Sequence, residues 1–125
     1  MGLMMGRKCL VMGVANKRSI AWGIARALHR EGAELAFTYV NDRLKENLVE
    51  LVQTLEGHEQ MPLLPCDVME DGQIEAAFAE LGERWGKLDV VVHSIAYART
   101  EDLQRDFVET TREGWRIAQI GRAHV

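Results

Sequence analysis

Four short stretches carry residue types that could handle a nucleotide, and each directly follows an apolar run. The first, "GVANKRSIAWG", sets Gly13, Lys17, Arg18 and Ser19 ahead of a segment with helical periodicity. A strand-to-helix turn of this kind offers free N–H groups and a partial positive charge to an anion. Gly13 removes a side chain where the backbone must bend and approach a phosphate, and Val14 and Ala15 continue the loop. Ser19 either gives its hydroxyl and N–H to that phosphate or caps the helix, and Ala21 is small enough for close helix–strand packing. The glycine spacing does not satisfy G-x-G-x-x-G, so a plain turn with a serine cap stays open.

The second stretch, "TYVNDR", stands where a dinucleotide fold touches the adenosine ribose, through an acid for a 2′-hydroxyl or a base for a 2′-phosphate. Val40 ends the run, and Asn41 or Asp42 caps the next helix. In the third, "CDVMED", Asp67 either accepts from an adenine amino group, with Val68 packing on the ring, or is a turn residue before an Asp71 cap. The fourth, "VHSIAYA", puts the small residues Ser94 and Ala96 where a ring could stack on bare backbone. His93 there reads as a satisfied buried histidine rather than a base.

The elements that must position these loops repeat with a regular step. Runs beginning at Lys8, Glu34, Met61 and Leu88 start 26, 27 and 27 residues apart and look like strands. Between them lie apolar stripes at helical spacing: Ile20, Ile24, Ala27 and Leu28; Leu44, Leu48, Leu51, Val52 and Leu55; Ile74, Phe78, Leu81 and Trp85. Each stripe is expected to be core. Gly32, Gly57 and Gly86 stand at the helix ends, and a fourth helix should begin at the capping box Thr110-Thr111-Arg112-Glu113. Strands alternating with helices predict βαβ units, hence an α/β doubly wound parallel sheet of the Rossmann kind. "VMGV" and "DVVVH" are apolar at consecutive positions, as in strands covered on both faces. In such a sheet ligands bind beyond the carboxyl ends of the strands, where all four stretches lie.

Bulk properties narrow the alternatives. With 125 residues the chain has the length of one domain, and a hydrophobic share of 47% with 27% charged residues excludes disorder. A net charge of −4 argues against nucleic-acid binding, and no apolar run is long enough to span a membrane. The opening "MGLMMGRKCLVMG" is not a secretory signal. Cys9, Cys66 and the four scattered histidines lack ligand spacing, so no metal site is expected.

Together, "GVANKRSIAWGIA", "HREGAELAFTY", "CDV" and "VHSIAYA" resemble the enoyl-acyl-carrier-protein reductases of bacterial fatty-acid synthesis, divergent short-chain dehydrogenases/reductases. The likeness runs over about residues 2–119, and that family's first loop reads G-V-x-x-x-x-S-I-A. The resemblance implies NADH as cofactor, with NADPH as the alternative. Gly13, Val14, Ala15, Ser19 and Ile20 would lie on its pyrophosphate and nicotinamide side, Val40 on the adenosine half, Asp67 and Val68 at adenine. Ser94, Ile95 and Ala96 would lie along the cofactor, and Ala98 beside the acyl substrate. It further implies an enoyl-acyl carrier protein as substrate, a homotetramer, and a cytoplasmic location. Two positions depart from the usual pattern: Val40 replaces a common Gln, and Ala96 a common Gly.

A third departure concerns the chemistry itself. The family's catalytic tyrosine is followed by a lysine seven places on. Here Tyr39 and Tyr97 are followed at that distance by Glu46 and Gln104, so no catalytic residue is assigned. Residues 1–119 are expected to be the amino-terminal, cofactor-binding part of one Rossmann domain. Residues 120–125, "IGRAHV", break the helix expected after "REGWRIAQ" and can be encoded by a stretch resembling a sequencing-library adapter, so they are read as a non-native tail. The rival readings are another short-chain dehydrogenase acting on a hydroxy or keto group, a non-catalytic dinucleotide-binding module, and a βαβ methyltransferase.

Overall fold

The computed structural model describes residues 2–95, 104, 106–109 and 111–116. It divides into two compact units, Met1–Ser94 and Ile95–Val125. In the first, strands β1 (Lys8–Met12), β2 (Glu34–Tyr39), β3 (Leu63–Pro65) and β4 (Val90–His93) alternate with helices α1 (Ile20–Arg30), α2 (Asp42–Val52) and α3 (Asp71–Trp85). All pairings are parallel and the sheet order is β3-β2-β1-β4. The doubly wound fold expected from the sequence is therefore present. The chain steps outward from β1 to β3, then crosses back to lay β4 on the other side of β1. That reversal places the topological switch point between β1 and β4.

Alternation along the strands builds two apolar layers. Cys9, Val11, Leu35 and Phe37 form one cluster with Ala21, Trp22 and Ala25 of α1 and with Leu48 and Val52 of α2. The intervening Leu10, Met12 and Ala36 are buried as well, and the right-handed crossover rule puts α3, with its buried Ala77 and Leu81, on their face. Phe37 and Leu48, both fully buried, each contribute about 1.5–3 kcal/mol.

The second stripe is core through Leu48, Val52 and Leu55. The third buries only Leu81, with Ile74, Phe78 and Trp85 half-buried, and the first is rotated. Ala21, Trp22 and Ala25 face the sheet, while Ile20 is 76% exposed and Ile24 lies at the surface. Ala21 and Ala25 let α1 approach the central strands closely where branched isoleucines would hold it off, and Trp22 packs against Phe37 with ring centroids 6.3 Å apart. The strand β4 also differs from expectation. Its four residues are half-buried rather than enclosed, because β4 ends the sheet among the described residues.

Capping settles one alternative and otherwise departs from the sequence expectation. Asn41, not Asp42, caps α2, accepting from Leu44 N–H at 2.9 Å. For α3 the cap position is Glu70, and Asp71 is already helical. In the second unit, residues 112–116 are helical and the Thr111 hydroxyl accepts from Gly114 N–H at 2.9 Å, while Thr110, the first residue of the expected capping box, lies outside the described residues. Glu113 pairs there with Arg116. No described helix is long and apolar enough to cross a membrane.

Candidate dinucleotide-binding site

The loop after β1 is closed on itself by hydrogen bonds. Ser19 Oγ accepts from the N–H of Ala15 at 2.9 Å and of Asn16 at 3.1 Å. Asn16 Oδ1 accepts from Arg18 N–H at 2.8 Å, and Asn16 O from Ser19 N–H at 3.1 Å. Ser19 occupies the cap position of α1, yet its side chain makes no cap bond to the helix. Of the two roles open to it, the hydroxyl takes up the loop and leaves the helix end free. Both acceptor lone pairs are engaged, so what the hydroxyl still offers is its proton. The N–H groups of Ile20 and Ala21 have no acceptor among the described residues. Lys17 and Arg18 are exposed and have no carboxylate partner among them. The arrangement presents donors and positive charge together, the chemistry that a pyrophosphate requires.

Gly13 also serves a packing role that the sequence did not reveal. Its φ is +108°, and a Cβ there would lie 2.1 Å from the carbonyl oxygen of Ser94. The bare backbone is demanded by the end of β4. Ser94 N–H in turn donates to Met12 O at 3.1 Å, so the β1 and β4 chains stay in contact past their last paired residues.

The other proposed residues sort by side-chain access. Val14 is 3% exposed and belongs to the core, so only its main chain faces the loop. Ile20 and Val40 are exposed, at 76% and 44%, and can meet a ligand. Asp67 Oδ1 accepts from Met69 N–H at 3.0 Å, the turn role foreseen for it, and no hydrogen bond occupies Oδ2 among the described residues. Val68 beside it is buried. Ser94 is half-buried; Ile95, also half-buried, opens the second unit. Ala96 and Ala98 lie outside the described residues, as do Tyr97 and residues 120–125. His93 is not satisfied as expected: its Nε2 is buried without a hydrogen-bond partner among the described residues.

Two residues that hold this site escaped the sequence reading. Asn47 of α2 donates through Nδ2 to Ala15 O at 3.2 Å. Gln73, three places beyond the α3 cap, accepts through Oε1 from Asp67 N–H at 2.8 Å. The available signal was an amide at the third helical position of α3 and another beside the Leu48 stripe, neither of which is distinctive alone.

Residues 13–120 match the family model described as "Enoyl-(Acyl carrier protein) reductase". The chain is 50% identical over 119 residues to the NADH enoyl-acyl-carrier-protein reductase of Bacillus cereus, covering 95% of this chain and 46% of that protein. It is 52% identical to the Escherichia coli reductase, covering 94% and 44% of the two chains. Among solved structures, the Bacillus cereus reductase with NADP+ and indole naphthyridinone superposes with a TM-score of 0.88 at 49% identity, over 96% of this chain and 46% of that one. The Aquifex aeolicus reductase gives 0.87 at 41% identity, over 98% and 49%. The chain spans a little under half the length of these relatives. With its phosphate-type loop, its switch point and these matches in agreement, the chain belongs to the enoyl-(acyl carrier protein) reductase family.

Proposed function

We propose that this chain is the cofactor-binding part of an enoyl-acyl-carrier-protein reductase that reduces the trans-2 double bond of enoyl-acyl carrier protein in fatty-acid elongation. The observation that carries this reading is the donor-only cradle of Ser19, Ile20 and Ala21 at the switch point. Its donors suit the pyrophosphate of NADH, and NADPH shares that group. Bound there, the cofactor would supply the hydride taken up by the substrate's β-carbon.

The chain's own residues would bind and orient it. Ser19 would donate its hydroxyl proton to a phosphate oxygen, and Gly13 with Ala15 would hold the loop main chain in place. Ile20 would pack toward the nicotinamide half, and Val40 would bound the adenosine half. Asp67 would accept from the adenine amino group, with Val68 behind the ring. Ser94, Ile95 and Ala96 would run along the cofactor, and Ala98 would border the acyl group. No Tyr within residues 1–125 has a Lys seven places on, so this polypeptide by itself should bind cofactor without turning substrate over.

The family resemblance also supports a homotetramer for the complete enzyme. The two buried free thiols, Cys9 and Cys66, suit a reducing cytoplasm. Titration of the chain with NADH and with NADPH, read by nicotinamide fluorescence, tests the reading. Saturable binding to the chain and its loss in Ser19→Asp support it. Absence of binding for both nucleotides refutes it.

A further inference from the structure

The peptide plane joining Ala15 and Asn16 is gripped from both sides. Its N–H donates to Ser19 Oγ at 3.1 Å, and its carbonyl oxygen accepts from Asn47 Nδ2 at 3.2 Å. The first bond is internal to the loop, as are those of Ala15 N–H, Arg18 N–H and Ser19 N–H. The second reaches across 32 residues to α2, a helix anchored in the core by Leu48 and Val52. Asn47 is half-buried on that helix, which limits the rotamers open to its amide. Rotating the 15–16 plane would break both bonds at once. It would also free a carbonyl dipole beside the place where an anion is to be held.

From this we infer that Asn47 is a positioning residue for the pyrophosphate loop, acting on the dinucleotide through Ala15 without touching it. The inference rests on the cofactor reading above. A loop held before the ligand arrives need not be ordered on binding, and that saving appears as affinity for the diphosphate alone. The adenosine end, served by Val40, Asp67 and Val68, hangs on β2 and β3 and should not sense the tether.

The test uses the 125-residue chain and two probes: ADP, which carries a diphosphate, and adenosine, which does not. Asn47→Asp keeps the side chain's shape but, ionised, has no proton to donate. Asn47→Ala removes the amide and favours the helix, so folding is retained. Losing one hydrogen bond of ordinary strength should weaken ADP about three- to tenfold in Asn47→Ala. Asn47→Asp should weaken it further, because its charge repels the phosphates. Adenosine should stay within about twofold in both. An equal loss for both probes would show a merely structural role and overturn the inference, as would unchanged ADP affinity in both variants. If the unsubstituted chain binds neither ADP nor NADH, the cofactor reading falls and this inference falls with it.

Discussion

Replacing Gly13 with alanine should force β1 and β4 apart at their carboxyl ends. The new methyl would sit 2.1 Å from the Ser94 carbonyl oxygen and 2.7 Å from its carbon, where comfortable contact needs about 3.5–4.0 Å. Both obstructing atoms are main chain, so no rotamer change relieves the clash. Ser94 is moreover held to Met12 by its own N–H, and any retreat strains that bond. Overpacking of this kind costs about 1–3 kcal/mol, and an alanine at a φ of +108° adds about 1–2 kcal/mol. The sum, about 2–5 kcal/mol, is a large share of the stability of an ordinary domain, about 5–15 kcal/mol.

A control separates the two costs. Gly57 has a φ of +82° with nothing within 4 Å of where a methyl would sit, so Gly57→Ala should show the backbone cost alone, about 1–2 kcal/mol. Urea unfolding followed by tryptophan fluorescence compares both variants with the parent chain. Gly13→Ala should be the less stable of the two by at least about 1 kcal/mol. Equal destabilisation would refute the reasoning, because it would mean that the Ser94 contact yields freely.

Three further outcomes are expected. Ser19→Ala strands the N–H groups of Ala15 and Asn16, and should lower stability by about 1–2 kcal/mol in the same urea assay while weakening NADH; no change in either quantity would show that the loop does not depend on its hydroxyl. The carboxyl of Asp89 is held below its usual range, first by the Lys8 N–H and then by Lys87 and Arg7. Its stabilising contribution should therefore be complete above about pH 4 and vanish as pH falls through the lowered value; Asp89→Asn should flatten that part of the stability–pH curve, and an unaltered curve would count against the assignment. Finally, the half-buried edge strand β4 should make the 125-residue chain self-associate with rising concentration, and a concentration-independent monomer in sedimentation would contradict this.

The sequence made the sheet legible because its strands are short, apolar and evenly spaced. Glu34–Tyr39 is the clearest instance, matching "ELAFTY" from end to end. Helix existence was equally plain, whereas the facing of α1 was not. Two stripes a residue apart, Ile20–Ile24 and Ala21–Ala25, are both apolar, and only the distance of α1 from β1 decides between them. At the site, Gly13 and Ser19 could be picked out, but their partners could not. Ser94 lies far along the chain from Gly13, and which group a serine hydroxyl faces is decided by loop closure rather than residue type. Asn47 was illegible for the same reason: its meaning lies wholly in what α2 happens to pass.

The Ser19 hydroxyl, with both lone pairs already committed, has a consequence for how cofactor preference can change. On the proposed reading, a socket made only of donors would grip the diphosphate that all pyridine dinucleotides share and be indifferent to what is attached at either end. Discrimination between NADH and NADPH would then fall to a separate surface, Val40 after β2, where the adenosine ribose is expected. Substitution there would retune the choice of electron donor in small steps, with the grip on the diphosphate inherited intact.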